Sequence, residues 1–282
     1  MDTTNRPRVD ALLRAAAGRI DATDARWLLA HAAGRPVGWL FAHGTDAADA
    51  ALVDRFDALV ARREAGEPVA YLTGRRGFWR FELSVTPATL IPRPETEVLV
   101  EQVLARLPVH GRFADLGTGS GAIALAVASE RPDVEVVATD MSEAALDVAR
   151  GNARALGFDT VAFRAGDWYA PLGDVRYDVI ASNPPYIERG DPHLARGDLR
   201  YEPATALASG VDGLDALRAL AAGACAHLQP GGWLLVEHGL AQGAAVRDLF
   251  TRSGLDAVTT VRDLEQRDRV TLGRCPGGMK GA

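Results

Sequence analysis

Cysteine is nearly absent from the 282-residue sequence. Cys225 and Cys275 stand without a CxxC pair or a histidine-rich neighbourhood, which excludes a zinc finger and a disulfide framework, and no metal is expected. No apolar run approaches the roughly 20 residues that span a bilayer, and the opening MDTTNRPRVD has no signal-peptide core. The expectation is a cytoplasmic protein with no membrane partner. An excess of positive charge is also missing: 31 basic residues stand against 37 acidic ones, a net charge of -6. Global attraction to polyanionic nucleic acid is therefore excluded, although a locally basic face is not. Lys280 is the only lysine, and alanine is abundant while isoleucine is scarce, as codon bias in a GC-rich genome produces. Internal repeats and low-complexity tracts are lacking too.

What is present is an ordinary globular composition, 48% hydrophobic and 24% charged, long enough for about two domains. From residue 8 to 65 apolar residues recur at helical spacing, as in Ala25, Leu28 and Leu29 or Leu52, Phe56, Leu59 and Val60. Asp24 and Asp46 suit N-caps or first-turn acids, and Gly34 and Gly44 suit left-handed helix ends. Phe78 to Val85 alternates like a strand, and Thr89 to Glu97 (TLIPRPETE) reads as an entry loop. Strands are then expected at 112–116, 134–139, 160–165, 177–182, 232–237, 256–262 and 268–273. Helices are expected at 96–106, 121–130, 143–155 and 240–252. Such alternation predicts an α/β fold, a doubly wound Rossmann-like sheet preceded by a small N-terminal helical bundle. The predicted domains are 1–75 (helical), 76–95 (linker or hairpin) and 96–282 (ligand-binding sheet).

Asp115-Leu116-Gly117-Thr118-Gly119-Ser120-Gly121 joins a strand end, a three-glycine turn and a helix start. Such a turn lets backbone approach a ligand, but dinucleotide-binding enzymes share it. Asp115, just before the glycines, is a poor neighbour for pyrophosphate and a good one for the ammonium or sulfonium of S-adenosylmethionine. Asp140 ends the next strand, where a carboxylate accepts both ribose hydroxyls of either NAD or S-adenosylmethionine. Asp167 and Trp168 follow the third strand, where the carboxylate would accept an adenine amine and the indole would pack on its face.

Asn183-Pro184-Pro185-Tyr186 follows an apolar strand at the edge where open α/β sheets bind ligands. Two prolines fix both φ angles and remove both N–H donors, so the turn offers acceptors: the Asn183 side-chain carbonyl and free backbone carbonyls. That suits a planar NH2 group. Accepting both its N–H bonds favours pyramidalisation and turns its lone pair toward an electrophilic methyl, while Tyr186 stacks on its flat face. No general base is evident, and none is needed if the proton leaves after methyl transfer.

With these motifs the sequence resembles the protein-glutamine methyltransferases that modify the Gly-Gly-Gln glutamine of peptide-chain release factors. The resemblance covers nearly the whole chain. It extends to Glu67 to Gly74 (EPVAYLTG), Leu90 to Glu97, Tyr201-Glu202-Pro203 and Gly210 to Leu214. It implies that Gly117, Thr118, Gly119, Ser120 and Gly121 hold the methionyl part of S-adenosylmethionine, Asp140 the ribose and Trp168 the adenine. Asn183 would face both cofactor and substrate, with Pro184, Pro185 and Tyr186 completing the amide clamp. The PRPETE run would line the mouth, the 27 residues from Ile187 to Gly213 would form a substrate-facing lid, and the helical domain would grip a release factor. A monomer without a DNA requirement is expected. An adenine methyltransferase acting on DNA or RNA shares the NPPY motif, but the acidic balance disfavours the strand grip it needs. An NAD-dependent oxidoreductase gives NPPY no role, and a non-catalytic adaptor leaves the acceptor pocket unexplained.

Overall fold

The computed structural model describes residues 6–277, so Lys280 lies outside the described residues. The chain divides after Arg75 into two compact units. The first contains α1 (Val9–Ala16), α2 (Ala22–Ala33), α3 (Trp39–Ala42), α4 (Ala50–Glu64) and α5 (Val69–Thr73). Leu28 and Leu29 of α2 and Phe56 and Val60 of α4 are buried in its core. Helical spacing puts each pair on an inward face.

Of the helix-end residues expected from sequence, Asp24 and Gly34 take their expected places, and Asp46 and Gly44 do not. Asp21 accepts the Thr23 N–H at 2.7 Å and Asp49 the Leu52 N–H at 2.7 Å, so these residues start α2 and α4. Asp24 lies in the first turn of α2 and takes Arg63 Nε at 2.7 Å, while Asp46 pairs with His43. Gly34 ends α2 in the left-handed region, but α3 ends at His43 rather than Gly44.

The second unit opens with a hairpin, β1 (Arg75–Phe78) and β2 (Phe81–Ser84), whose turn holds Trp79 at φ 54. Alternation alone cannot see a turn inside its own run, so Phe78 to Val85 reads as one strand and folds as the end of β1, a turn and β2. A 3-10 turn at Pro94–Thr96 leads into α6 (Glu97–Leu104). There follow β3 (Arg112–Leu116), α7 (Ala122–Glu130), β4 (Glu135–Asp140), α8 (Glu143–Leu156), β5 (Ala162–Ala165) and β6 (Tyr177–Ser182). The chain closes with α9 (Ala204–Leu207), α10 (Asp215–His227), β7 (Leu228–Glu237), α11 (Gly243–Arg252), β8 (Asp256–Arg262) and β9 (Asp268–Arg274).

The seven strands run in the order β5-β4-β3-β6-β7-β9-β8, the first five parallel and β9 antiparallel to both neighbours. Their side chains alternate between two layers. Phe113, Val136, Ala138, Val179 and Ala181 pack on the α6 and α7 side, and Ala114, Val137, Ile180 and Val236 on the α10 and α11 side. Strand order reverses between β3 and β6, which places a ligand crevice at their carboxyl ends.

α10 lies outside the elements expected from sequence. Its inward Leu217, Leu220, Ala221 and Ala224 have helical spacing, yet Ala219, Ala222 and Ala226 on the other face are exposed. Alanine on both faces leaves little contrast to read. The segment from Ile187 to Gly213 carries structure of its own: two 3-10 turns, α9 and a parallel bridge between Ile187 and Ala208.

Candidate active site

The turn between β3 and α7 is shaped by its three glycines, Gly117, Gly119 and Gly121, all at positive φ. The N–H groups of Gly117 and Thr118 both donate to the Thr139 carbonyl at 2.9 Å, which ties the turn to the end of β4. Gly119 N–H donates to Asp140 Oδ2 at 2.9 Å, and Ser142 N–H to Asp140 Oδ1 at 2.9 Å. A carboxylate has about four acceptor positions, so two remain for a diol. Behind the turn, Asn152 of α8 donates to the Ser120 carbonyl at 2.9 Å and grips Ser84 of β2 through both its N–H and its carbonyl.

The turn opens on a cavity of about 560 Å³. Of the residues singled out from sequence, Gly117, Thr118, Gly119, Ser120, Asp140, Asp167, Trp168, Asn183, Pro184 and Pro185 line it, while Asp115, Gly121 and Tyr186 stand behind its wall. The run after β2 contributes Thr89, Leu90, Pro92 and Thr96, and the long segment after β6 contributes Arg189, Pro203 and Thr205. Trp168 holds φ 39, a costly backbone for a non-glycine residue, of the kind that clusters at ligand sites.

Asp115 is fully buried; its Oδ2 accepts from Thr118 Oγ1 at 2.6 Å and from Ala124 N–H at 3.2 Å. Oδ1 has no partner among the described residues. Burial pushes the carboxyl up to about 7 against those two hydrogen bonds, with Asp140 adding repulsion.

Asn183 donates its Nδ2 to Thr96 Oγ1 at 3.2 Å, and Thr96 Oγ1 lies 2.7 Å from Glu237 Oε2. Glu237 ends β7 almost fully buried, and burial pushes it up to about 7, opposed by Thr96, Arg269 and the Tyr186 hydroxyl. The Tyr186 carbonyl accepts from Gln242 Nε2 at 3.0 Å, which pins the exit from the Pro-Pro turn. Glu237, Gln242 and Asn152 carry no role in the sequence reading, and Thr96 enters it only as part of the PRPETE run, which does line the cavity. For Glu237 the available signal is a lone acid ending the apolar run Trp233 to Val236.

These residues fit S-adenosylmethionine. An orphaned, buried carboxylate oxygen awaits positive charge, Asp140 retains acceptor capacity for a ribose, and Trp168 and Asp167 line the same cavity for an adenine.

Residues 8–74 match the PrmC N-terminal domain family and residues 94–197 the Methyltransferase small domain family. A release factor glutamine methyltransferase of Xylella fastidiosa (strain Temecula1) is 60% identical over 96% of this chain and 99% of its own length. That of Escherichia coli (strain K12) is 47% identical over 89% of this chain and 91% of its own. The solved structure of a Thermus thermophilus 16S rRNA N2 G1207 methyltransferase in complex with AdoMet and guanosine aligns with a TM-score of 0.52 at 21% identity. That alignment covers 71% of this chain and 49% of the other, and it speaks for the fold alone. Identity at this level over nearly the full length of both chains places this one: it belongs to the release factor glutamine methyltransferase family.

Proposed function

We propose that the chain transfers a methyl group from S-adenosylmethionine to the side-chain amide nitrogen of the glutamine in the Gly-Gly-Gln motif of peptide-chain release factors. The observation that carries this reading is that one cavity joins the glycine turn, Asp140 and Trp168 to the acceptor turn Asn183-Pro184-Pro185. S-adenosylmethionine supplies the electrophilic methyl. Asp140 accepts from the ribose, Trp168 packs on the adenine, and Asp115 beneath the turn attracts the positive charge.

The methyl-accepting amide nitrogen is a weak nucleophile because its lone pair is delocalised. Asn183 Oδ1 and the Pro184 carbonyl accept its two N–H bonds, hold it in line and favour pyramidalisation. Tyr186 acts from behind the wall by fixing this turn. The proton leaves after the methyl arrives, so the site works without a general base. An adenine methyltransferase role is not favoured, given a net charge of -6 and the family to which the chain belongs.

The helical first unit serves as the grip on the release factor, and the protein acts as a cytoplasmic monomer with no DNA requirement. Among the described residues no helix is long and apolar enough to cross a membrane. The test is mass spectrometry of a release factor incubated with enzyme and S-adenosylmethionine. One methyl group is expected on the Gly-Gly-Gln glutamine and none on a Gln→Ala control; equal labelling of both, or labelling of DNA only, overturns the proposal. Comparing a Gly-Gly-Gln peptide with the intact release factor tests the grip, and equal kcat/KM for both removes it.

A further inference from the structure

Either end of an asparagine amide has much the same shape, so a site that needs the oxygen outward must forbid the flipped state. Asn183 is the only side chain of the Asn-Pro-Pro turn that can accept a hydrogen bond, and among the described residues no donor reaches its Oδ1. Its partner is Thr96, buried at the entry to α6, and the partner of Thr96 is Glu237, 1% exposed at the carboxyl end of β7. Three elements distant in sequence therefore converge on one amide.

The hydrogen inventory decides its direction. Above about pH 7, where Glu237 is ionised, its carboxylate only accepts, so the single Thr96 proton turns to Oε2 at 2.7 Å. The Thr96 oxygen is left with lone pairs alone on the side that Asn183 meets at 3.2 Å. Only the NH2 end of Asn183 can face it favourably. A flipped amide would set two acceptors against each other. We infer that Glu237, acting through the Thr96 hydroxyl, locks the Asn183 amide with Oδ1 toward the methyl-accepting nitrogen, which makes Glu237 and Thr96 positioning residues for the reaction.

This inference rests on the reading of Asn183 as the clamp on the substrate amide. It also explains why a carboxylate sits inside an apolar strand end: a hydrocarbon of the same size would pack there but would leave the Thr96 proton free to point at Asn183 and stabilise the wrong face. Tyr186 of the same turn lies within the electrostatic reach of this carboxylate.

The decisive comparison is Thr96→Val against Thr96→Ser in the full-length enzyme. Valine keeps the shape and removes the hydroxyl, whereas serine keeps the hydroxyl and opens a gap. A relay predicts that T96V lowers kcat on the release factor about tenfold or more while T96S stays within about threefold of wild type. The Kd for S-adenosylmethionine should stay within about threefold in both. A purely packing role predicts the reverse order, and T96V turning over as fast as T96S overturns the inference.

A second readout needs no turnover. With side-chain 15N-labelled asparagine, the Asn183 NH2 protons should be protected from solvent exchange in wild type and T96S and unprotected in T96V and Glu237→Ala; equal protection in all four overturns the relay. Wild-type enzyme that leaves the Gly-Gly-Gln glutamine unmodified while this protection pattern holds would instead mean that the amide is locked for a different acceptor.

Discussion

The carboxylate of Glu202 accepts the backbone N–H of Ile91 at 2.9 Å across 111 residues of chain. It also takes the guanidinium of Arg93, and its own side chain is fully buried. The YEP and PRPETE segments, which stand out separately in the sequence, are thus one structure at the cavity mouth. Removing this acid by Glu202→Ala strands a buried N–H and one arm of Arg93. The loss should be about 2 kcal/mol, discounted for the partial exposure of Arg93, or a fall in Tm of roughly 5 °C. Glu202→Gln keeps one acceptor and should lose less. Thermal melts rank the two variants, and kcat/KM on a release factor should fall in the same order.

Asp115 links cofactor affinity to pH. Its folded value, about 7, lies above the ordinary carboxylate range because burial disfavours the charge. A raised acid contributes stability that is complete below about pH 4 and is lost as pH rises through its folded value. The free enzyme should therefore lose stability relative to Asp115→Asn between about pH 4 and 7. A cationic ligand favours the ionised form, so S-adenosylmethionine should bind more tightly as pH rises through 7 and displace a fraction of a proton. Calorimetry in buffers of different ionisation enthalpy measures that release. Asp115→Asn should bind more weakly with a flatter pH dependence, and an unchanged slope would refute the link.

Asn183→Ala removes the amide acceptor at the reacting centre. Because that contact strengthens as the nitrogen pyramidalises, kcat should fall more than cofactor affinity does. A loss of about fivefold or more in kcat is expected, since one such hydrogen bond contributes about 1 kcal/mol or more. Single-turnover rates and a separate Kd distinguish the two effects. A rate within about threefold of wild type would sink the clamp.

The residues that touch the ligand-sized space were legible because their chemistry is local: glycines at a strand-to-helix turn, acids at strand ends and a Pro-Pro turn each carry a meaning within a few positions. Their supports were not. Thr96 and Glu237 are 141 residues apart and meet because α6 packs against β7. Glu202 announces itself as part of a motif but gives no hint that Ile91 is its partner. α10 is hidden in the sequence because its alanines blur the difference between inner and outer faces, and Asp46 resembles a cap because aspartate spacing alone does not say whose side chain reaches a free N–H. Sequence pattern identifies groups that face a ligand; the sheet order decides which buried groups hold them.

Two glycines of the same turn should fail in different ways. At Gly119, φ +57, an added Cβ meets nothing within 4 Å; at Gly121, φ +86, it would lie 3.2 Å from Leu125 Cδ1 and 3.3 Å from Ala149 Cβ. Both substitutions to alanine incur the left-handed penalty of about 1 kcal/mol. Gly121→Ala must also push α7 away from α8, so it should lose about 1–3 kcal/mol in all. Gly119 instead lines the cavity and donates its N–H to Asp140. Gly119→Ala should therefore be the more stable variant in urea yet the weaker binder of S-adenosylmethionine, because strain there moves the groove that holds the ligand rather than the helix behind it. Urea midpoints and cofactor Kd values measured on both variants give the ranking. If Gly121→Ala proved both more stable and weaker in binding than Gly119→Ala, the assignment of Gly121 to helix packing and Gly119 to the ligand groove would be wrong.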